Sequence, residues 1–241
     1  GLLVALVAGP RTESEPASPV AIPHAEAAPG ALHPPALDEA ALRYAAADHD
    51  AFTATRGTLP ANLPANAGRF ADPAILLDGN TYYAYATRSG QLDIPAAASA
   101  DLVHWSAPTN ALPVLPAWAE RGRTWAPSVV RRGDRYVMWY SIRHRDSGSM
   151  CISVAVATQP LGPFEDRSDR PALCQLDRAG SIDPDVFVND DGSAFLVWKS
   201  EDNALGLPTS LWAAPLDDTA TQPGHATLLL SRSVEWQGLI I

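Results

Sequence analysis

Two aspartates stand directly before a proline in matching surroundings: Asp72 in ADPAILLDG and Asp183 in IDPDVFVNDDG. Proline fixes its own φ and favours extended backbone in the residue before it, so each Asp-Pro pair reads as a rigid mount for a carboxylate. Two carboxylates delivered rigidly to one place suit general acid–base hydrolysis, in which one group activates a water while another protonates a leaving oxygen. Carboxyl groups that share a site also acquire separated pKa values, so that one is kept ionised while its neighbour holds a proton. An Asp-Pro pair is equally ordinary turn chemistry, with the aspartate bonding to its own backbone. The spacing by itself leaves both readings open.

The elements that carry these residues repeat. ADPAILLDGNTYYAYAT begins at Ala71, APSVVRRGDRYVMWYS at Ala126 and IDPDVFVNDDGSAFLVWKS at Ile182. Each has a proline, a short apolar run, a tight polar turn and a second run rich in aromatics, which is the punctuation of a β-hairpin. The anchor prolines Pro73, Pro127 and Pro184 recur at intervals of 54 and 57 residues. That period predicts an array of like β-units, each of four short antiparallel strands, closing radially into an all-β propeller. SADLVHWS (Ser99–Ser106), ISVAVATQPLGPFED (Ile152–Asp166) and TSLWAAPL (Thr209–Leu216) are expected to supply outer strands. In such a fold the first strand of every unit lines the channel in one direction. The residues before the three prolines, Asp72, Ala126 and Asp183, therefore converge on one mouth.

The bulk composition narrows the partners. The net charge is −10, from 17 basic and 27 acidic side chains, and no Lys/Arg cluster offers the footprint that a phosphate backbone needs, so nucleic acid is not an expected partner. Seven tryptophans suit stacking on neutral ligands and equally suit a β-rich core. Residues 1–9, GLLVALVAG, are too short an apolar run to span a bilayer and read as the remnant of a secretory signal, so the protein is expected to be extracellular and not membrane-embedded. Residues 10–67 are rich in Ala and Pro and read as a linker or N-terminal arm, with one short helix expected over Leu37–Phe52. Cys151 and Cys174 are compatible with a single bridge in an oxidising compartment, or with two buried thiols, and no Cys/His cluster has zinc-site spacing.

The ordered set ADPAILLDGNTYYAYAT, SADLVHWS, WAPSV, LGPFED and SIDPDVFVNDDGSAFLVWKS resembles glycoside hydrolase family 43 over about residues 68–241. The resemblance implies a five-bladed β-propeller, of which this chain would hold blades one to three and the start of the fourth. It implies an inverting arabinofuranosidase, arabinanase or β-xylosidase that acts on arabinose- or xylose-containing polysaccharides. Asp72 matches the general base, and Asp183 matches the aspartate that tunes and orients the acid. Trp125 matches a pocket-lining position that would stack on a sugar face. The general acid, a Glu in a Glu-Ala/Gly-Pro motif, is expected immediately after SVEWQGLII (Ser233–Ile241), outside the chain, and Glu235 stands too early to be it.

Further substrate-binding candidates are Phe70 beside the base, Arg143 and His144 after the second hairpin, and Lys199 at what is read as the comparable place in the third. The run from Cys151 through Cys174 to WKSEDNALGLPTSLW looks most like exo-acting α-L-arabinofuranosidases, and a Cys151–Cys174 bridge would tie two blades together. No cofactor is expected to be required. Some members of the family hold calcium through a His of the last blade, so calcium is an expectation for the complete protein only. A monomer is expected. Two other functions fit the same residues: a carbohydrate-binding propeller without catalysis, and a β-fructosidase-like enzyme. The Asn-Asp-Pro-Asn-Gly signature of the latter is not met by Phe70-Ala71-Asp72-Pro73-Ala74.

Overall fold

The computed structural model describes residues 70–231. The first hairpin sheet joins β1 (Ala74–Asp78), β2 (Thr81–Tyr85), β3 (Pro95–Ser99) and β4 (Thr109–Asn110) in sequential order. The second joins β5 (Ala119–Arg132), β6 (Arg135–His144) and β7 (Met150–Ala157); the third joins β8 (Ser181–Val188), β9 (Ala194–Ser200), β10 (Ser210–Pro215) and β11 (Thr227–Ser231). All strand pairs within these sheets are antiparallel. First strands neighbour one another, β1 beside β5 and β5 beside β8. The sheets are three blades of a β-propeller, as the repeat predicts, and fit the five-bladed form that the resemblance implies. Residues 1–9, the arm at 10–67 with its expected helix, and the segment carrying Glu235 lie outside the described residues.

The packing follows from strand alternation. β6 is the middle strand of the middle blade, so both of its faces are covered and Tyr136 to Ile142 are buried without interruption. Tyr136, Met138, Tyr140 and Ile142 point into one core with Tyr85, Ile94, Leu112 and Phe164. Val137 and Trp139 point into the other, with Ile152, Leu196 and Trp198. A nearly continuous apolar run, interrupted here only by Ser141, is what a strand buried on both faces requires. The buried polar ends of the aromatics are satisfied: the Tyr85 hydroxyl donates to Pro160 O at 2.6 Å and Trp139 Nε1 to Ala220 O at 2.8 Å.

Polar contacts register one blade against the next. Ser128 on β5 donates to Asp185 Oδ1 at 2.9 Å and accepts the Val186 N–H at 3.2 Å. Asp78, at the tip of the first hairpin, takes a hydrogen bond from Arg131 at 2.5 Å and another from the Tyr136 hydroxyl. Cys151 on β7 and Cys174 form a disulfide with Cα atoms 4.7 Å apart. Nearby, Gly180 has φ +135°, and a Cβ there would lie 2.3 Å from Met150 O, so this close crossing admits only glycine.

Three local expectations are corrected. Ser99–Ser106 is not an outer strand: β3 ends at Ser99, and Asp101 then accepts the N–H groups of Val103 and His104 to close a turn. The strand is the Ala-rich run before it. The middle blade has three strands rather than four. Beyond β7 the chain carries Pro160, Pro163 and Pro171, which cannot donate to a ladder, and only isolated bridges form, Val156 with Glu165 and Ile152 with Leu173. Finally, the residues before the anchor prolines are not extended. Asp72, Ala126 and Asp183 have φ of +50°, +42° and +54°. The prolines interrupt the ladder, and β5 and β8 bulge there, with register shifts between Trp125 and Ser128 and between Ile182 and Asp185.

Candidate active site

The shared left-handed conformation gives the three blades one recurring seat. A bulge bends its strand and re-aims the side chain it carries, and non-glycine residues in this region are strained by about 1–3 kcal/mol unless their surroundings hold them. Hydroxyl groups from the preceding blade do the holding. Thr87 Oγ1 accepts the Ala126 N–H at 2.9 Å, and Ser141 Oγ accepts the Asp183 N–H at 2.9 Å. Thr87 also donates to Asp72 Oδ2 at 2.6 Å, and its own N–H donates to Ala71 O at 3.0 Å.

Register shows which residues correspond. Thr87 faces Ala71, Ser141 faces Trp125 and Lys199 faces Ile182. Lys199 is thus the counterpart of Thr87 and Ser141, not of Arg143 and His144 as the sequence suggested.

Asp183 feels the charge of Asp72. The walls around Asp183 strip part of its hydration and raise its pKa from the ordinary aspartate value; Lys199 opposes that rise and the negative charge of Asp72 adds to it. Both aspartates are nevertheless open to solvent on one side, so the upward shift has its origin in the site's walls and not in full burial. Glu201 was missed by sequence reasoning. Its pKa is also raised by desolvation, with Lys199 opposing and Asp183 adding. The signal was alternation: Glu201 follows Lys199 by two residues, and its N–H continues the pairing by donating to Gly180 O at 3.1 Å. The mouth therefore gathers Asp72, Asp183, Lys199 and Glu201.

The remaining candidates are placed as follows. Trp125, half-buried, precedes Ala126 of the second seat. Phe70, half-buried, is the first described residue. Arg143 is engaged in holding the β6–β7 turn and the start of β5, donating to Gly148 O at 2.8 Å and pairing with Glu120 at 3.3 Å. His144 shares a hydrogen bond with Ser147 Oγ at 2.9 Å and lies against Trp118, ring centroids 5.9 Å apart. Among the described residues no group of three His, Cys, Asp or Glu is placed to hold a metal ion. The His expected to serve calcium belongs to a blade outside them.

The sequence pattern of Glycosyl hydrolases family 43 matches residues 62–239, and the chain belongs to that family. It is 28% identical over 180 residues to the extracellular exo-alpha-(1->5)-L-arabinofuranosidase ArbA of Cellvibrio japonicus, covering 68% of this chain and 49% of that protein. It is 29% identical over 161 residues to a probable arabinan endo-1,5-alpha-L-arabinosidase B of Aspergillus fumigatus, covering 61% of this chain and 41% of that protein. The chain thus spans about half the length of these relatives or less. Among solved structures, a thermostable family-43 glycoside hydrolase superposes with a TM-score of 0.60 at 25% identity, over 70% of this chain and 55% of that one.

Proposed function

We propose that the protein is a secreted, inverting glycoside hydrolase that releases α-L-arabinofuranosyl units from arabinan or arabinoxylan. The observation that carries this reading is the placement of Asp72 and Asp183 in equivalent seats at one mouth, with the charge of the first felt by the second. Asp72 is the general base. Its Oδ2 is engaged by Thr87, and its other oxygen holds the attacking water. Asp183, flanked by Lys199, orients the sugar and tunes the acid. None of Glu120, Glu165 and Glu201, the glutamates of the described residues, occupies a seat before an anchor proline, and none of them is assigned as the acid.

Water on Asp72 attacks the anomeric carbon from one face while the acid protonates the leaving oxygen on the other. The reaction is a single displacement, which calls for a base and an acid about 6.5–9.5 Å apart. Likeness to an enzyme named as an extracellular arabinofuranosidase supports both the sugar and secretion. The test is to incubate the full-length protein with arabinan, arabinoxylan, xylan and galactan and follow the first-formed sugar by proton NMR. Free arabinose appearing first as the β-anomer is expected. A retained anomer overturns the mechanism, and release from galactan or xylan alone overturns the substrate.

A further inference from the structure

We infer that Thr87 is the positioning residue of the base, acting as a pin between the first two blades that both aims Asp72 and dictates which of its oxygens meets water. The inference rests on the proposed role of Asp72. Thr87 sits just beyond β2, with its backbone N–H on Ala71 O, and so is fixed to the segment that carries Asp72 into β1. Its hydroxyl makes two contacts of opposite sense. The Ala126 N–H, which can only donate, points at Oγ1 from 2.9 Å. The hydroxyl proton is thereby left for Asp72 Oδ2 at 2.6 Å, where the acceptor is a carboxylate oxygen.

The direction of the chain Ala126 N–H to Thr87 O–H to Asp72 is therefore set by chemistry. A hydroxyl that both accepts and donates is polarised along that chain, which strengthens its bond to the carboxylate. One carboxylate oxygen is engaged and its plane is fixed, so Oδ1 is the oxygen presented to the mouth. The same hydroxyl stabilises a strained φ of +42° at Ala126, next to the half-buried Trp125. Base and sugar platform are located by one atom. Ser141 in the equivalent place carries only half of this device: it accepts the Asp183 N–H, whereas Thr87 also grips the carboxylate of its own blade.

Three variants of the full-length protein test the pin: Thr87→Val, which keeps the shape and removes the hydroxyl, Thr87→Ser, which restores it, and Asp72→Asn. The substrate is a dinitrophenyl arabinofuranoside, whose leaving group needs no proton, so the rate reads the base half of the reaction alone. Thr87→Val is expected to lower kcat about ten- to a hundredfold, the range for a lost hydrogen bond to a charged group, with KM changed less than threefold. Thr87→Ser is expected to recover most of it. In the Asp72→Asn background, Thr87→Val is expected to cost nothing more, because a positioning residue has no effect once its target is gone.

Equal losses from Thr87→Val with and without Asp72 overturn the pin and leave the base intact. Full activity of Asp72→Asn overturns the base itself. If Thr87→Val does not fold, Thr87→Ala takes its place in the same cycle and is read in the same way.

Discussion

The backbone N–H of Asp183 donates to the Ser141 hydroxyl at 2.9 Å, tying the third blade to the second one residue before its anchor proline. Ser141 is fully buried, as are its neighbours Tyr140 and Ile142. The bond therefore satisfies a donor that solvent would reach poorly, at the point where the backbone adopts a strained conformation.

Ser141→Ala removes that acceptor and leaves the donor behind. The expected loss is about 1–3 kcal/mol of unfolding free energy, read from the urea midpoint at unchanged m-value. A loss below the error of the titration would show that water or a backbone shift replaces the hydroxyl.

Asp183→Asn is expected to lower turnover about a hundredfold or more, as for loss of a group in acid–base machinery, while raising the melting temperature at neutral pH. The sign follows from the raised pKa of Asp183. Its contribution to stability is complete below the ordinary carboxylate pKa of about 4 and is lost as pH rises through the higher folded value. Above that, the ionised group burdens the fold, and Asn relieves it. Asp78 has the opposite sign, because hydrogen bonds from Tyr136 and then Arg131 hold its pKa down. Asp78→Asn should cost stability at neutral pH and flatten the decline on acidification. Melting curves across the acid range check both, and an Asp183→Asn melt below the parent's at neutral pH would sink the linkage.

Reducing the Cys151–Cys174 bridge, or replacing both residues by Ser, frees a loop with a sequence separation of 23. The chain-entropy argument puts the loss at about 3 kcal/mol. A mass shift of two hydrogens on reduction establishes the bond, and unfolding with and without reductant measures its worth.

Trp125→Ala is expected to weaken binding of arabino-oligosaccharides about tenfold, in line with the strength of aromatic contacts, while leaving the melting temperature nearly unchanged. Calorimetric titration of the Asp72→Asn protein reads this without turnover. Unchanged affinity would make Trp125 a wall residue only.

The prolines, the hairpin turns and the aromatic second strands of each repeat made the blades legible, because these features have fixed local meanings. β3 was less so: its run Pro95–Ser99 is mostly alanine, which carries little strand propensity and acquires strand form from its pairing with β2. The seats themselves were visible as positions and not as conformations. A proline predicts extended backbone before it, whereas the hydroxyls of Thr87 and Ser141, supplied from the neighbouring blade, sustain a left-handed φ. Lys199 was assigned to the wrong counterpart because cross-strand pairing, and not position along the hairpin, decides which residues correspond. Glu201 followed only once Lys199 was correctly placed.

The seat at Ala126 has a wider meaning. It holds an alanine in a backbone geometry that aspartate and asparagine tolerate better, between two blades that place a carboxylate there. Chemistry in such a ring is interchangeable hardware: a point substitution at one socket adds or removes an acidic group while every strand stays where it was. Enzymes of different specificity can descend from a common scaffold by redistributing side chains around its axis.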